Sequence, residues 1–217
     1  MKLLSPANAK LKKGFETEGY LAVSFGLPAV KTCPYADQCL KGCYATKAFY
    51  RMSAAVAKRA RNWKATLSND FIYKMNADIE TAKKKAERKG LKLIVRIHDS
   101  GDYFSQEYAD MWKEISSQNS DVEFYSYTKS VKFFIKDYMR LPSNLRIIFS
   151  MGGKTDNLIN KNIHRHCQIF ETSTDLRFAG YADTSNDDSI AALAVTKFIG
   201  IVYHGSKALT FSTMETV

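Results

Sequence analysis

Three cysteines, Cys33, Cys39 and Cys43, fall within eleven residues of the stretch TCPYADQCLKGCYA, and the only other cysteine of the 217-residue chain is Cys167. Thiolates are soft ligands, suited to iron–sulfur clusters or zinc and ill suited to magnesium or calcium. The spacing C-x5-C-x3-C lacks the paired short knuckles of most zinc sites. One loop carrying three thiolates can hold three irons of a 4Fe–4S cluster, leaving the fourth iron to another ligand. Cys167 in that position closes the site; a small molecule there leaves it reactive. Two other readings stand beside this one: a zinc site, or cysteines that serve as small buried hydrophobes. Pro34, Asp37, Gln38, Lys41 and Gly42 describe a turn-rich loop, which argues against the last. Clustered cysteines in a reducing compartment are more often metal ligands than disulfides.

Such ligands need a scaffold, and the hydrophobic pattern describes one. GYLAVSFGLPA (19–29) reads as a first strand running into the cysteine loop (31–45). After the loop, Ala45, Ala48, Phe49, Met52, Val56, Ala60, Trp63 and Leu67 recur at helical spacing. A second helix is expected from about Asp70, with Phe71, Met75, Ile79, Ala82 and Ala86 on one side. LKLIVRIHDSGD reads as a buried strand ending in a turn, and Ser105 as the N-cap of a helix with Tyr108, Met111, Trp112 and Ile115 inward. DVEFYSYTKS is a strand, VKFFIKDYMR a short helix, NLRIIFSMGG a strand, and FIGIVYHG (198–205) a late strand. The alternation predicts one α/β domain over 1–217 with a mostly parallel sheet, open or wrapped as a partial TIM-like barrel. Residues 154–190 read as polar and irregular.

Parallel sheets hold ligands at the carboxyl ends of their strands. Here those ends carry His98, Ser100, Gly101 and Asp102, then Ser126 and Thr128, then Ser150, then His204. Alternation puts Leu93, Val95 and Ile97 on one face and Arg96 and His98 on the other. Arg96, His98, Ser100, Gly101, Asp102, Ser126, Thr128, Ser150 and His204 are therefore the candidate cofactor contacts. A structural Arg–Asp pair competes with that role for Arg96, and Asp99 and Asp102 are its expected partners or turn caps. Gly152, Gly153 and Lys154 do not complete a P-loop pattern.

The formal net charge is +10, from 32 Lys and Arg against 22 Asp and Glu. It favours acidic partners such as nucleic acid or phosphorylated metabolites; a redox partner is a separate expectation. Arg51, Lys58, Arg59, Arg61 and Lys64 form the set that would track a phosphate backbone. An ordinary solvated surface gives the same composition, and no nucleic-acid motif accompanies it. No apolar run is long enough to span a membrane. MKLLSPANAKLKKG lacks the apolar core of a secretory signal, so a cytoplasmic location is expected.

With TCPYADQCLKGCYA, RIHDSGDYFSQEYADMWKEI, FYSYTKS and the late GIVYHG in this order, the chain resembles the gene product 88 family of phage proteins from roughly residue 8 to residue 208. The resemblance implies a phage protein in the host cytoplasm. The chain departs from the family across 154–190, where further cysteines are associated with the family and this sequence offers Cys167 alone. A more distant similarity links it to radical S-adenosylmethionine enzymes, which carry three cysteines after the first strand of a partial barrel. That similarity implies S-adenosylmethionine as a cofactor and Ser100, Gly101 and Asp102 as the counterpart of a cofactor-binding turn. The usual triplet there is C-x3-C-x2-C, so the similarity bears on fold more than on reaction. The expected function is a 4Fe–4S protein, redox or structural, ligated by Cys33, Cys39, Cys43 and Cys167. The alternatives are a radical S-adenosylmethionine-type enzyme and a nucleic-acid-binding module with a metal scaffold.

Overall fold

A computed structural model describes residues 2–41 and 43–203. The chain begins with a two-residue strand β1 (Ser5–Pro6) and helix α1 (Ala9–Thr17), whose N-cap Asn8 accepts from the Leu11 amide at 3.0 Å. Strand β2 (Tyr20–Phe25) leads into the cysteine loop, which holds one short turn of helix, α2 (Gln38–Lys41), and two 3₁₀ turns. Helices α3 (Ser53–Thr66) and α4 (Phe71–Glu87) precede β3 (Lys92–Ile97), and α5 (Gln106–Gln118) precedes β4 (Glu123–Thr128). Then follow β5 (Leu145–Ser150), β6 (His166–Phe170), α6 (Ser173–Phe178), β7 (Ala182–Asp183), α7 (Asp188–Leu193) and β8 (Phe198–Val202).

All eight strands join one sheet in the order β1-β2-β3-β4-β5-β6-β8-β7. Among the strands of the described residues, the β1–β2 pair is antiparallel and the other pairings are parallel. From β2 to β6 each strand lies beside its predecessor in sequence, so successive crossovers add strands in one direction and bring the carboxyl ends to a common edge.

Side-chain alternation divides the core in two. On one face Val23, Phe25, Leu93, Val95, Ile97, Phe124, Ile147 and Phe149 pack against the apolar stripes of α4 and α5, including Phe71, Met75, Ile79, Tyr108, Trp112 and Ile115. On the other, Ala22, Ile94, Tyr125, Ile148, Cys167 and Ile199 are covered by Leu11 and Phe15 of α1 and Ala191 and Ala192 of α7. Burying a side chain of the size of Phe71 or Trp112 in this way contributes about 2–3 kcal/mol relative to leaving it in water.

Several expectations are corrected. The sheet starts before residue 19, with β1. The helix expected directly after the cysteines is delayed by the 3₁₀ turns to Ser53, and Met52, Val56 and Leu67 are exposed instead of forming its inward stripe. The short helix over 131–140 is 3₁₀. Residues 154–190 are ordered into β6, α6, β7 and the start of α7, with Thr172 and Asp187 as side-chain N-caps. His98 does not share a face with Arg96: its φ of 64° turns the chain out of the strand and sends the imidazole to the helical side. His204 lies outside the described residues.

Candidate functional site

The cysteine loop is fastened to the carboxyl edge of the sheet at several points. Ala36 bridges to Gly153, the Gln38 amide donates to Gly152 O at 3.2 Å, and the Lys154 amide donates to Tyr35 O at 2.9 Å. The Gly152 and Gly153 amides are in turn held by the Asp156 carboxylate at 2.6 and 3.0 Å. Gly152 has φ of 91°, and a Cβ on Gly153 would stand 3.1 Å from both Tyr35 O and Lys129 Cβ. These glycines serve close backbone approach. At the other end of the loop, Tyr44 Oη donates to Asp99 O at 2.8 Å.

The turn Ser100–Gly101–Asp102 joins three strand ends. The Ser100 hydroxyl donates to Leu27 O at 2.8 Å, and Leu27 N donates back to Ser100 O at 2.8 Å. Gly101 has φ of 81°, and a Cβ there would meet Thr32 Oγ1 at 2.5 Å and Leu27 Cβ at 2.7 Å. Asp102 accepts from Tyr103 N at 2.7 Å, Thr128 Oγ1 at 2.5 Å and Lys129 N at 2.9 Å. Burial pushes the Asp102 carboxyl up to about 6 against the pull of these donors.

This turn faces the thiols. Burial, and then the Asp102 charge, push the Cys33 thiol up to about 12, with Cys39 and Cys43 adding to the effect. Burial also raises Cys39, and Lys129 opposes it most strongly. Cys33, Cys39 and Cys43 thus share one electrostatic neighbourhood with Asp102 and Lys129. The Lys129 ammonium, on a residue 8 % exposed, donates to Ser150 O and Ser150 Oγ at 3.1 Å and to Met151 O at 2.6 Å. Cys167 pairs with Ser150 in the β5–β6 ladder, and its side chain is buried in the inner-face apolar cluster, where its charge would bear on Tyr127 and Tyr181. Among the described residues, no three His, Cys, Asp or Glu side chains converge tightly enough to hold a single metal ion.

The remaining candidates have protein partners. Arg96 Nη1 pairs with Asp188 Oδ2 at 2.6 Å, and its guanidinium lies 5.5 Å from the Tyr127 ring centroid. Burial works against that charge, but Asp188 and the surrounding tyrosines hold its pKa well above the usual value. The structural Arg–Asp pair is therefore present, with Asp188 in place of Asp99 or Asp102. His98 Nε2 meets Tyr108 Oη at 2.9 Å inside a ring of Phe25, Tyr103 and Trp112, and burial lowers its pKa to about 3. The imidazole is neutral there. Ser126 Oγ donates to Ile97 O at 3.0 Å, and Thr128 is committed to Asp102. Of the basic set, Lys58 Nζ donates inward to Lys2 O and Leu4 O, and Arg59 is 8 % exposed and stacked 4.5 Å from the Tyr50 ring centroid. Arg59 is thus withdrawn from solvent, Lys58 is half-buried, and Arg51, Arg61 and Lys64 are exposed.

Fold and loop together define an α/β protein with a mostly parallel eight-stranded sheet and three cysteines displayed at its carboxyl edge. The chain matches the family model for gene product 88 over residues 2–209, and it belongs to that family of phage proteins. It is 32 % identical over 148 residues to the gene 88 protein of Mycobacterium phage D29, and 30 % identical over 145 residues to that of Mycobacterium phage L5. Each match covers 64 % of this chain and 60 % of the relative, so the chain spans under two thirds of the curated relatives it matches. No solved structure matches. No helix among the described residues is long and apolar enough to cross a membrane. The similarity to radical S-adenosylmethionine enzymes finds no support in these comparisons.

Proposed function

We propose that this chain is an iron–sulfur protein of the phage, with Cys33, Cys39 and Cys43 as three ligands of a 4Fe–4S cluster and Cys167 as the fourth. The observation that carries the reading is the loop itself: three half-buried thiols on one segment fastened by backbone bonds to the carboxyl edge of a parallel sheet. The donor chemistry fits a thiolate-bound cluster and not a hard cation. The neighbouring carboxylate, Asp102, already takes three protein donors. Lys129 supplies a fixed positive charge that favours ionised sulfur. Strand β6 brings Cys167 beside Ser150, a partner of the same ammonium. A bound cluster would supply one-electron redox chemistry or a structural crosslink; the chain's own residues orient it and limit its exposure to water.

A second reading is favoured by one observation, the placement of the Cys167 side chain within the apolar inner-face cluster. In that reading the three loop cysteines form an open site whose fourth iron takes a small molecule. S-adenosylmethionine is the candidate, and the one-directional order of six parallel strands is what a partial barrel needs. Anaerobic purification of the wild type and of Cys167→Ala, with iron and sulfide analysis, separates the two. Loss of iron in Cys167→Ala supports the closed site. Retention of the cluster, with 5′-deoxyadenosine formed on reduction with S-adenosylmethionine, supports the open one. Iron absent from the wild type overturns both.

A further inference from the structure

A cavity of about 630 Å³ lies between the N-terminal segment, the end of β2, one side of α3 and the turn after β3. Its volume falls in the range of small-molecule sites, and none of the readings above uses it. Asp99, Arg59, Lys58 and Asn62 line it, with Leu11 and Ala55 among the apolar residues; the Lys58 ammonium is committed to Lys2 O and Leu4 O, which leaves Arg59 as the cation available to a ligand. Gly26 forms part of the wall: a Cβ on it would stand 2.1 Å from Asp99 Oδ1 and 3.8 Å from Arg59 Nε, so both charged groups reach over the bare backbone.

The charged groups are held apart and pre-positioned. Arg59 lies across the Tyr50 ring and gives Nη1 to Tyr50 O at 2.9 Å. Asp99 is anchored through its main-chain oxygen by Tyr44 Oη at 2.8 Å, and its Oδ2 accepts from Ser24 Oγ at 3.3 Å. Of the nearby charges, Arg96 acts on Asp99 most strongly and Arg59 next. Asn62 is 1 % exposed; its Nδ2 donates to Leu3 O and Gly26 O, while its Oδ1 is buried without a hydrogen-bond partner. A buried acceptor of this kind is unfavourable unless a donor reaches it.

We propose that this cavity binds a small zwitterion of the α-amino-acid class, its ammonium on Asp99 and its carboxylate on Arg59; the shielded Asn62 Oδ1 lies behind the wall and takes no part. A ligand bearing one charge would leave the opposite wall group desolvated and unmatched, whereas a zwitterion matches both. The apolar walls leave room for a side chain. The proposal is independent of the metal reading, because none of these groups is a thiol.

The test is isothermal titration of the full chain with each of the twenty L-α-amino acids. At least one binds with a dissociation constant of about 1 mM or tighter. The matching amine without its carboxylate, and the matching acid without its amine, each bind at least about tenfold more weakly. Asp99→Asn and Arg59→Gln, checked for folding by circular dichroism, weaken the amino acid by about tenfold or more. Should either fail to fold, Ala55→Leu narrows the cavity with both charges intact and also abolishes binding. The proposal is overturned if no amino acid binds the wild type at about 10 mM, if the single-charge analogues bind equally well, or if the folded variants keep wild-type affinity.

Discussion

Removing the Asp188 carboxylate tests whether Arg96 is a structural cation or a ligand contact. Asp188 is 3 % exposed at its side chain and Arg96 17 %, and the 2.6 Å pair ties the start of α7 to the carboxyl end of β3. Tyr125 Oη adds a 3.2 Å bond to the same carboxylate oxygen. Arg96 Nε is already buried without a partner. In Asp188→Ala the guanidinium keeps its charge and loses its acceptor, which in buried pairs costs about 3–5 kcal/mol. With a urea slope of about 2.5 kcal/mol/M, the unfolding midpoint falls by about 1–2 M. The double variant Arg96→Met with Asp188→Leu removes both charges and keeps apolar volume, so it returns to within about 1 kcal/mol of wild type. The assay is equilibrium urea unfolding followed by circular dichroism and tryptophan fluorescence. A shift below about 0.4 M for Asp188→Ala, or a double variant no better than the single, refutes the assignment of Arg96 to a structural pair.

Gly101→Ala forces a Cβ into Thr32 and Leu27 at positive φ and destabilises by about 2–4 kcal/mol, read as a lowered thermal midpoint; an unchanged midpoint contradicts the turn geometry. Asp102 has a folded pKa of about 6, raised by burial above its unfolded value, so its protonated form is favoured by folding. Its contribution is present below about pH 4 and is lost as pH rises through about 6. The stability of wild type relative to Asp102→Asn therefore falls by up to about 3 kcal/mol between those limits, and a pH-independent difference in urea unfolding contradicts it. Lys129→Met leaves Ser150 and Met151 acceptors unpaired at a loss of about 2–3 kcal/mol. It also removes the charge that pulls the Cys39 thiol down, so alkylation of Cys39 by iodoacetamide slows at neutral pH; an unchanged or faster rate rules that coupling out.

Much of the scaffold is legible because its signals are local. The period-2 run Leu93, Val95, Ile97 and the 3.6-period stripe of Tyr108, Trp112 and Ile115 meet in one core, and Ser105 caps α5 by accepting from Tyr108 N at 3.2 Å. The order of elements follows from that alternation. What was hidden depends on partners far away in the chain. Asp188, 92 residues from Arg96, carries no sign that it completes a pair across the sheet. His98 follows a strand in perfect alternation, and only its left-handed backbone, set by the turn at Gly101, diverts it. The stretch 154–190 is too polar to show periodicity, yet its caps at Thr172 and Asp187 organise two short helices. Arg59 sits in a basic run that suggests a wet surface, and the structure folds it over Tyr50 beside Asp99. The serines and threonine lie at the strand ends, but the hydroxyls of Ser100, Ser126 and Thr128 are spent on main-chain and carboxylate acceptors and that of Ser150 accepts from Lys129. The cysteine loop is the part of the proposed site that spacing alone suggests.

The central claim is that the loop thiols hold iron. Protein purified without oxygen and assayed for iron and acid-labile sulfide, with electron paramagnetic resonance of the reduced sample, answers it. The account predicts about four of each per chain, a cluster signal, and loss of both in Cys33→Ala, Cys39→Ala and Cys43→Ala. Colourless wild-type protein that contains zinc or no metal, under the same handling, contradicts it.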